Sequence, residues 1–160
     1  MVVRAGIGFD AHRFAEGRRL VLGGVEIDHP QGLAGHSDAD VVLHSIADAL
    51  LGAAALGDIG RRFPPDDPRW AGADSVELLR DVVGHVRERG WRVENVDVTV
   101  VAEAPRIGPY VERMTARIAS ALGVEPAQVS VKATTLEGMG SIGREEGIAA
   151  MAVATVSRNG

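Results

Sequence analysis

Asp10 and His12 stand two residues apart in the segment Gly-Phe-Asp-Ala-His, residues 8–12. The run from Val2 to His12 predicts an extended strand, and side chains alternate across a strand, so both groups point to the same side and can clamp one ion. His44 falls on a helix predicted from Asp38 to about Ala55, where Asp40, His44 and Asp48 recur every four residues as one polar stripe. One carboxylate and two imidazoles suit zinc. Three protein ligands leave a fourth position open, as in a catalytic rather than a structural site. Asp48 is placed to orient His44 from one turn away. By itself the helix stripe reads equally well as a surface histidine with helix ion pairs.

Three other segments could carry chemistry. His36-Ser37-Asp38-Ala39-Asp40 lies at the predicted helix start. Ser and Asp cap helices, and His36 with the free N–H groups of a first turn can also face an anion. Thr134-Thr135-Leu136-Glu137-Gly138 follows a predicted strand, with Gly140, Gly143 and Arg144 beyond it. Hydroxyls, backbone N–H groups and a guanidinium can together hold phosphate oxygens, and Glu137 can hold a hard cation such as Mg²⁺. The same stretch also reads as a plain glycine-rich turn. The loop Ala102-Glu103-Ala104-Pro105-Arg106-Ile107-Gly108 can read a base through backbone groups or serve as a simple connection. Gly6-x-Gly8 is not followed by a third matching glycine or a helix, so no dinucleotide or P-loop fingerprint is present.

The elements that must position these groups are legible as periodicities. Leu20-Val21-Leu22 and Val25-Glu26-Ile27 flank Gly23-Gly24, a two-residue hairpin signal. Leu43, Ile46, Ala47, Leu50 and Leu51 form the apolar stripe of the first helix, capped by Ser37 or Asp38. A Gly-, Asp- and Pro-rich loop follows over residues 57–72. Asp74 or Ser75 caps a second helix, with Val76, Leu79, Val82, Val83 and Val86 on one face, and Gly90 ends it. Val96, Val98 and Val100 alternate as a half-buried strand. Pro109 opens a third helix, residues 129–133 form a strand, and Ile148 to Val156 form the last one. Strands and helices interleave, which predicts an α+β or α/β class with one sheet and helices on one face.

The chain has 160 residues, which predicts a single domain over 1–160. It contains no cysteine, so any metal must sit on histidine and carboxylate. A net charge of −5 argues against a nucleic-acid surface. No apolar run is long enough to span a bilayer and no signal peptide is evident, so the expected location is the cytoplasm.

Taken in order, these segments resemble the 2-C-methyl-D-erythritol 2,4-cyclodiphosphate synthases of the non-mevalonate isoprenoid pathway. The resemblance rests on Gly-Phe-Asp-Ala-His (8–12), His36 to His44, Asp48 to Gly60, Asn95-Val-Asp-Val-Thr, Ala-x-Ala-Pro (102–105), Val-Lys-Ala-Thr-Thr (131–135) and Gly143-Arg-x-Glu-Gly-Ile-Ala. It implies an α+β sandwich with a mixed sheet, assembled as a homotrimer with active sites between subunits. The implied substrate is a cytidine diphosphate ester of methylerythritol carrying a 2-phosphate, cyclised with release of CMP.

Asp10, His12 and His44 match that family's zinc ligands, and Glu137 matches the holder of a second ion, Mg²⁺ or Mn²⁺. His36 and Thr135 match the positions assigned to transition-state stabilisation. Asp58, Ile59 and Gly60 match contacts to the methylerythritol part, with Ser37, Phe63 and Asp67 nearby. Residues 102–108 match the cytosine-reading loop, Thr134 and Arg144 match contacts nearer the nucleotide phosphates, and Leu136 and Ser141 fall among the expected substrate-binding positions. An isoprenoid diphosphate in the central cavity of the trimer is a further implied partner. Pro65 and Ser141 depart from the family's pattern, which often has an acidic residue and an aromatic there; Asp66 or Asp67 can supply the carboxylate. The same three metal ligands would also serve a zinc-dependent phosphoesterase using water, and the trimer would also serve a non-catalytic binder of isoprenoid diphosphates.

Overall fold

The computed structural model describes residues 1–160. Strand β1 (Val2–Ala15) is three residues longer than its apolar pattern predicts. The extension has partners on both sides: Phe14 and Ala15 pair with β4 (Gly32–Leu33), and Arg13 pairs with Gly147. Between them β2 (Leu20–Leu22) and β3 (Val25–Ile27) form the expected hairpin. Gly23 and Gly24 turn it with φ of 59° and 71°, the conformation that a two-residue hairpin demands.

Helix α1 (Val41–Ala54) starts later than expected. Its N-cap is Asp40, not Ser37 or Asp38, and its side chain accepts from the N–H groups of Val42 and Leu43. The same carboxylate reaches the hairpin turn, accepting from Gly23 at 2.9 Å and Gly24 at 2.8 Å. Four backbone donors converge on Asp40, so it is buried rather than part of an exposed stripe with His44 and Asp48. The loop over residues 57–72 contains an unexpected short helix, α2 (Ile59–Arg62), and a 3₁₀ turn at Pro68–Trp70. Helix α3 (Ser75–Glu88) is capped by Asp74 as expected.

Strand β5 (Arg92–Val101) follows, and Val96, Val98 and Val100 are all fully buried. Pro109 opens a 3₁₀ turn, Gly108–Tyr110, and α4 (Val111–Leu122) begins just after it. Strand β6 (Val129–Thr134), a short helix α5 (Gly140–Gly143) and β7 (Gly147–Arg158) complete the chain. The sheet order is β4-β1-β7-β5-β6. β7 is antiparallel to both neighbours, whereas β5 and β6 are parallel and joined by the α4 crossover. The sheet is therefore mixed and the class is α+β.

Helix α1 lies directly on β1 and β7. A Cβ at Gly8 would stand 1.9 Å from the Ser45 carbonyl oxygen, and one at Gly6 2.1 Å from that of Ala49. Only glycine allows this approach, and it sets the distance between the strand and helix that carry the metal-type residues. The opposite face of the sheet is uncovered: Ile7 and Phe9 on β1 and Met151 and Val153 on β7 are 65, 59, 45 and 43% exposed.

Candidate metal centre and active site

Asp10 and His12 project from β1 toward α1, and His44 meets them from the first turns of that helix. Asp10 Oδ2 lies 3.1 Å from His12 Nε2 and 3.0 Å from His44 Nδ1. One ligand atom from each of the three lies within 4.8 Å of the others. In a tetrahedral site with bonds near 2.0 Å, ligand atoms sit about 3.3 Å apart, so this donor set fits a zinc-sized ion with little adjustment. The chemistry fits as well, because two imidazoles and one carboxylate would leave a four-coordinate ion one open position.

The electrostatics favour a cation there. Burial pushes the Asp10 carboxyl up, but hydrogen bonds and charge from His12 and His44 pull harder and hold it well below the usual carboxylate range. Burial pulls His44 down, but its hydrogen bond to Asp10 and the charges of Asp10, Asp40 and Asp38 raise it above the ordinary histidine value.

Asp48 does not orient His44. Its Oδ1 accepts from the Ile59 N–H at 3.0 Å and so fastens α2 to α1. Burial raises its carboxyl, with the Ile59 bond acting the other way. The His44 ring is instead held by Ser75 Oγ, 2.8 Å from Nε2, with Ser37 Oγ at 3.2 Å. Sequence patterning marked Ser75 only as a helix-cap residue, and its neighbourhood with His44 arises only from the packing of α3 on α1.

Beside the triad opens a cavity of about 290 Å³. His36, Ser37, Ile59, Gly60 and Phe63 line it together with Pro65, Trp70, Leu78 and Leu79. Phe63 and Trp70 meet edge to face with centroids 4.8 Å apart. Asp58 caps α2 through the Arg61 N–H at 2.8 Å. Asp67 caps the 3₁₀ turn and pairs with Arg69 at 2.6 Å, and this contact holds its carboxyl low. His36 is exposed, with Nε2 3.3 Å from the Asp67 carbonyl oxygen. The free first-turn N–H groups expected to face an anion are not free, because Asp40 takes those of Val42 and Leu43.

The nucleotide-type residues gather elsewhere. Ala102, Glu103, Pro105, Arg106, Ile107 and Gly108 line a cleft of about 310 Å³ with Thr134 and Thr135. Ala104 precedes Pro105 through a cis peptide bond. Glu103 Oε1 accepts from the Leu136 N–H at 2.7 Å and fastens the two loops together. Thr135 Oγ1 accepts from the Glu137 N–H at 3.1 Å, which sets hydroxyl and carboxylate on one turn, with Glu137 at a φ of 53°. Arg144 is exposed and paired with Glu146 at 3.1 Å. Ser141 lines a third cleft, together with His12, Arg13 and Gln31.

The metal-side cavity and the Thr135 cleft have no lining residue in common. Sheet order explains this. β6 is three strands from β1, about 14 Å at ordinary strand spacing. One chain thus carries both halves of the expected site without joining them.

The fold is shared with a known family of synthases. The model of the YgbB family matches residues 3–157, and the chain belongs to that family. It is 64% identical over 152 residues to the 2-C-methyl-D-erythritol 2,4-cyclodiphosphate synthase of Symbiobacterium thermophilum, covering 95% of this chain and 97% of that one. The bifunctional IspDF of Campylobacter jejuni superposes with a TM-score of 0.95 at 42% identity, covering 99% of this chain but 43% of that longer one. A CDP complex of IspF from Plasmodium falciparum superposes with a TM-score of 0.85 at 32% identity, over 98% of this chain and 97% of that one.

Proposed function

We propose that this protein is a 2-C-methyl-D-erythritol 2,4-cyclodiphosphate synthase of isoprenoid biosynthesis. It converts 4-diphosphocytidyl-2-C-methyl-D-erythritol 2-phosphate to the 2,4-cyclodiphosphate and CMP. The observation that carries the reading is the Asp10–His12–His44 cluster at the mouth of the Ile59–Phe63 cavity, in a chain whose near relatives bear that name.

The nucleophile is the substrate's own 2-phosphate, already anionic, so the chain needs neither a serine nor a strong general base. What it must supply is alignment and charge neutralisation. Ile59, Gly60 and Phe63 form the wall against which the methylerythritol part is held, with Asp58, Ser37 and Asp67 at its edge. Asp10, His12 and His44 would hold zinc, which would supply Lewis-acid polarisation of a phosphate oxygen, and Glu137 would hold a second ion, Mg²⁺ or Mn²⁺. His36 and Thr135 donate to phosphate oxygens as charge shifts from the 2-phosphate to the departing CMP. Residues 102–108 read cytosine through backbone groups. Thr134 and Arg144 stand on the phosphate side, and Leu136 and Ser141 are further substrate contacts.

The assembly is a homotrimer in which the metal side of one subunit faces the Thr135 cleft of the next. Two observations support it: the separation of the two clefts within one chain, and the uncovered apolar face at Ile7, Phe9, Met151 and Val153. Such faces enclose an apolar central cavity suited to an isoprenoid diphosphate. No helix is long and apolar enough to cross a membrane, in keeping with a cytoplasmic enzyme. Turnover of the cytidine substrate by the zinc- and magnesium-loaded protein, lost on chelation and restored by both ions, is the expected behaviour. CMP release that is indifferent to chelation would rule the reading out.

A further inference from the structure

The two ring nitrogens of His44 meet different partners. Nδ1 stands 3.0 Å from Asp10 Oδ2, on the metal side. Nε2 stands 2.8 Å from Ser75 Oγ and 3.2 Å from Ser37 Oγ, on the protein side. Which nitrogen carries hydrogen is settled by Ser75. A serine hydroxyl has a single proton to donate. Ser75 gives that proton to Asp38 Oδ1, and its backbone N–H donates to Asp38 Oδ2 at 2.9 Å. A carboxylate can only accept, so Ser75 Oγ has lone pairs alone to offer the imidazole. At this nearer contact, 2.8 Å against 3.2 Å to Ser37 Oγ, the His44 nitrogen that complements a lone pair is Nε2–H, and Ser37 then accepts from it as it does from the Ala39 N–H.

The consequence falls on the other side of the ring. With hydrogen on Nε2, the lone pair of the neutral ring is on Nδ1 and points at the Asp10 carboxylate 3.0 Å away. Two acceptors that close repel each other unless a proton or a metal ion lies between them. Ser75 is 1% exposed, so water does not compete for its hydroxyl.

We propose that Asp38 and Ser75 are positioning residues for the metal centre: the chain Asp38–Ser75–His44 fixes hydrogen on Nε2 and presents the Nδ1 lone pair to the ion. This rests on the metal-site reading above. It assigns to Ser75, at the start of α3, the task that helical spacing gave to Asp48. It also makes the packing of α3 on α1 a condition for ligand geometry, since Ser75 and His44 belong to different helices. Partners of this kind raise metal affinity by keeping a ring in the ligating tautomer and orientation.

The test combines zinc titration and histidine NMR. Zinc chloride is titrated into metal-free wild type, Ser75→Ala and Ser75→Thr against a competing chromophoric chelator. ¹⁵N-edited spectra of ring-labelled protein read which nitrogen of His44 bears hydrogen. Wild type should show a slowly exchanging Nε2–H in contact with Ser75 and zinc on Nδ1. The zinc Kd should rise about 10–100-fold in Ser75→Ala and recover in Ser75→Thr. Zinc on Nε2, or a Ser75→Ala Kd within about twofold of wild type, overturns the relay. A wild type that binds no zinc overturns the metal reading instead. The Nε2–H resonance then decides the relay alone: its contact with Ser75 upholds it and its absence refutes it. The same wild-type spectrum decides the matter if Ser75→Ala does not fold.

Discussion

Asp10 Oδ2 faces His44 Nδ1 across 3.0 Å, a strand residue against a helix residue 34 positions later. That gap exists because Gly8 lets α1 settle on β1, and it has the size of an edge of a zinc coordination tetrahedron.

Removing the helix ligand should empty the site. His44→Ala leaves two ligands, too few for a stable catalytic zinc. Zinc content measured by mass spectrometry and turnover should both fall to background, with the far-ultraviolet spectrum unchanged. Wild-type turnover with a full complement of zinc would refute the ligand assignment.

The contact should also make metal binding pH-dependent. Without metal, His44 in the folded chain titrates above its ordinary value, because burial, which lowers it, is outweighed by Asp10, Asp40 and Asp38. A raised histidine contributes stability that is fully present below its unfolded value near 6.5 and is lost as pH rises through the folded one. The metal-free protein should therefore lose Tm as pH rises from the ordinary histidine value of 6.5 through the raised folded one. Zinc competes with the same proton, so its apparent affinity should rise over that window. Asp10 remains ionised throughout, since its carboxyl is held far below the range. An affinity flat across this window would mean that His44 does not ligate.

The close approach of α1 to β1 should be intolerant of a single methyl group. In Gly8→Ala the new Cβ would meet backbone, 1.9 Å from Ser45 O and 2.8 Å from Ala49 N, and backbone cannot swing aside. The helix must lift. Overpacking of this kind costs about 1–3 kcal/mol, and the Asp10–His44 gap widens with it. Chemical denaturation should show the loss of stability, and zinc titration a weakened Kd in the protein that remains folded.

Asp40 should matter for stability more than its distance from the chemistry suggests. Its buried carboxylate satisfies four N–H groups, two of α1 and two of the β2–β3 turn. Asp40→Ala orphans all four, at a cost of about 2–4 kcal/mol in denaturant unfolding. A loss below about 1 kcal/mol would show that water reaches those donors.

The uncovered sheet face should govern assembly. Phe9→Asp places a charge within the apolar patch it forms with Ile7, Met151 and Val153. For the proposed trimer with shared sites, sedimentation should show trimers giving way to monomers, and turnover should fall with them. Monomers that turn over at the wild-type rate would contradict a shared site.

Much of this was readable in the sequence where one residue pattern has one geometric outcome. Strand alternation put Asp10 and His12 together, and Gly23-Gly24 marked the hairpin correctly. Reading failed where a side chain finds partners far along the chain. Asp40 fits a helix stripe with His44 by spacing, yet donors 16 and 17 residues away draw it inward as a cap. Asp48 fits the orienting role by spacing, but the Ile59 N–H claims it. Ser75 carries only a helix-cap signal, because its hold on His44 is created by tertiary packing between two helices.

Phosphorus NMR on the purified, zinc- and magnesium-loaded protein with 4-diphosphocytidyl-2-C-methyl-D-erythritol 2-phosphate tests the proposed chemistry most directly. Attack by the substrate's own phosphate predicts two coupled resonances of a cyclic diphosphate growing in step with CMP, and no such product in the presence of chelator. Release of an open-chain phosphomonoester, with solvent oxygen incorporated when the reaction is run in ¹⁸O-water, would show that the Asp10–His12–His44 centre directs a water molecule instead.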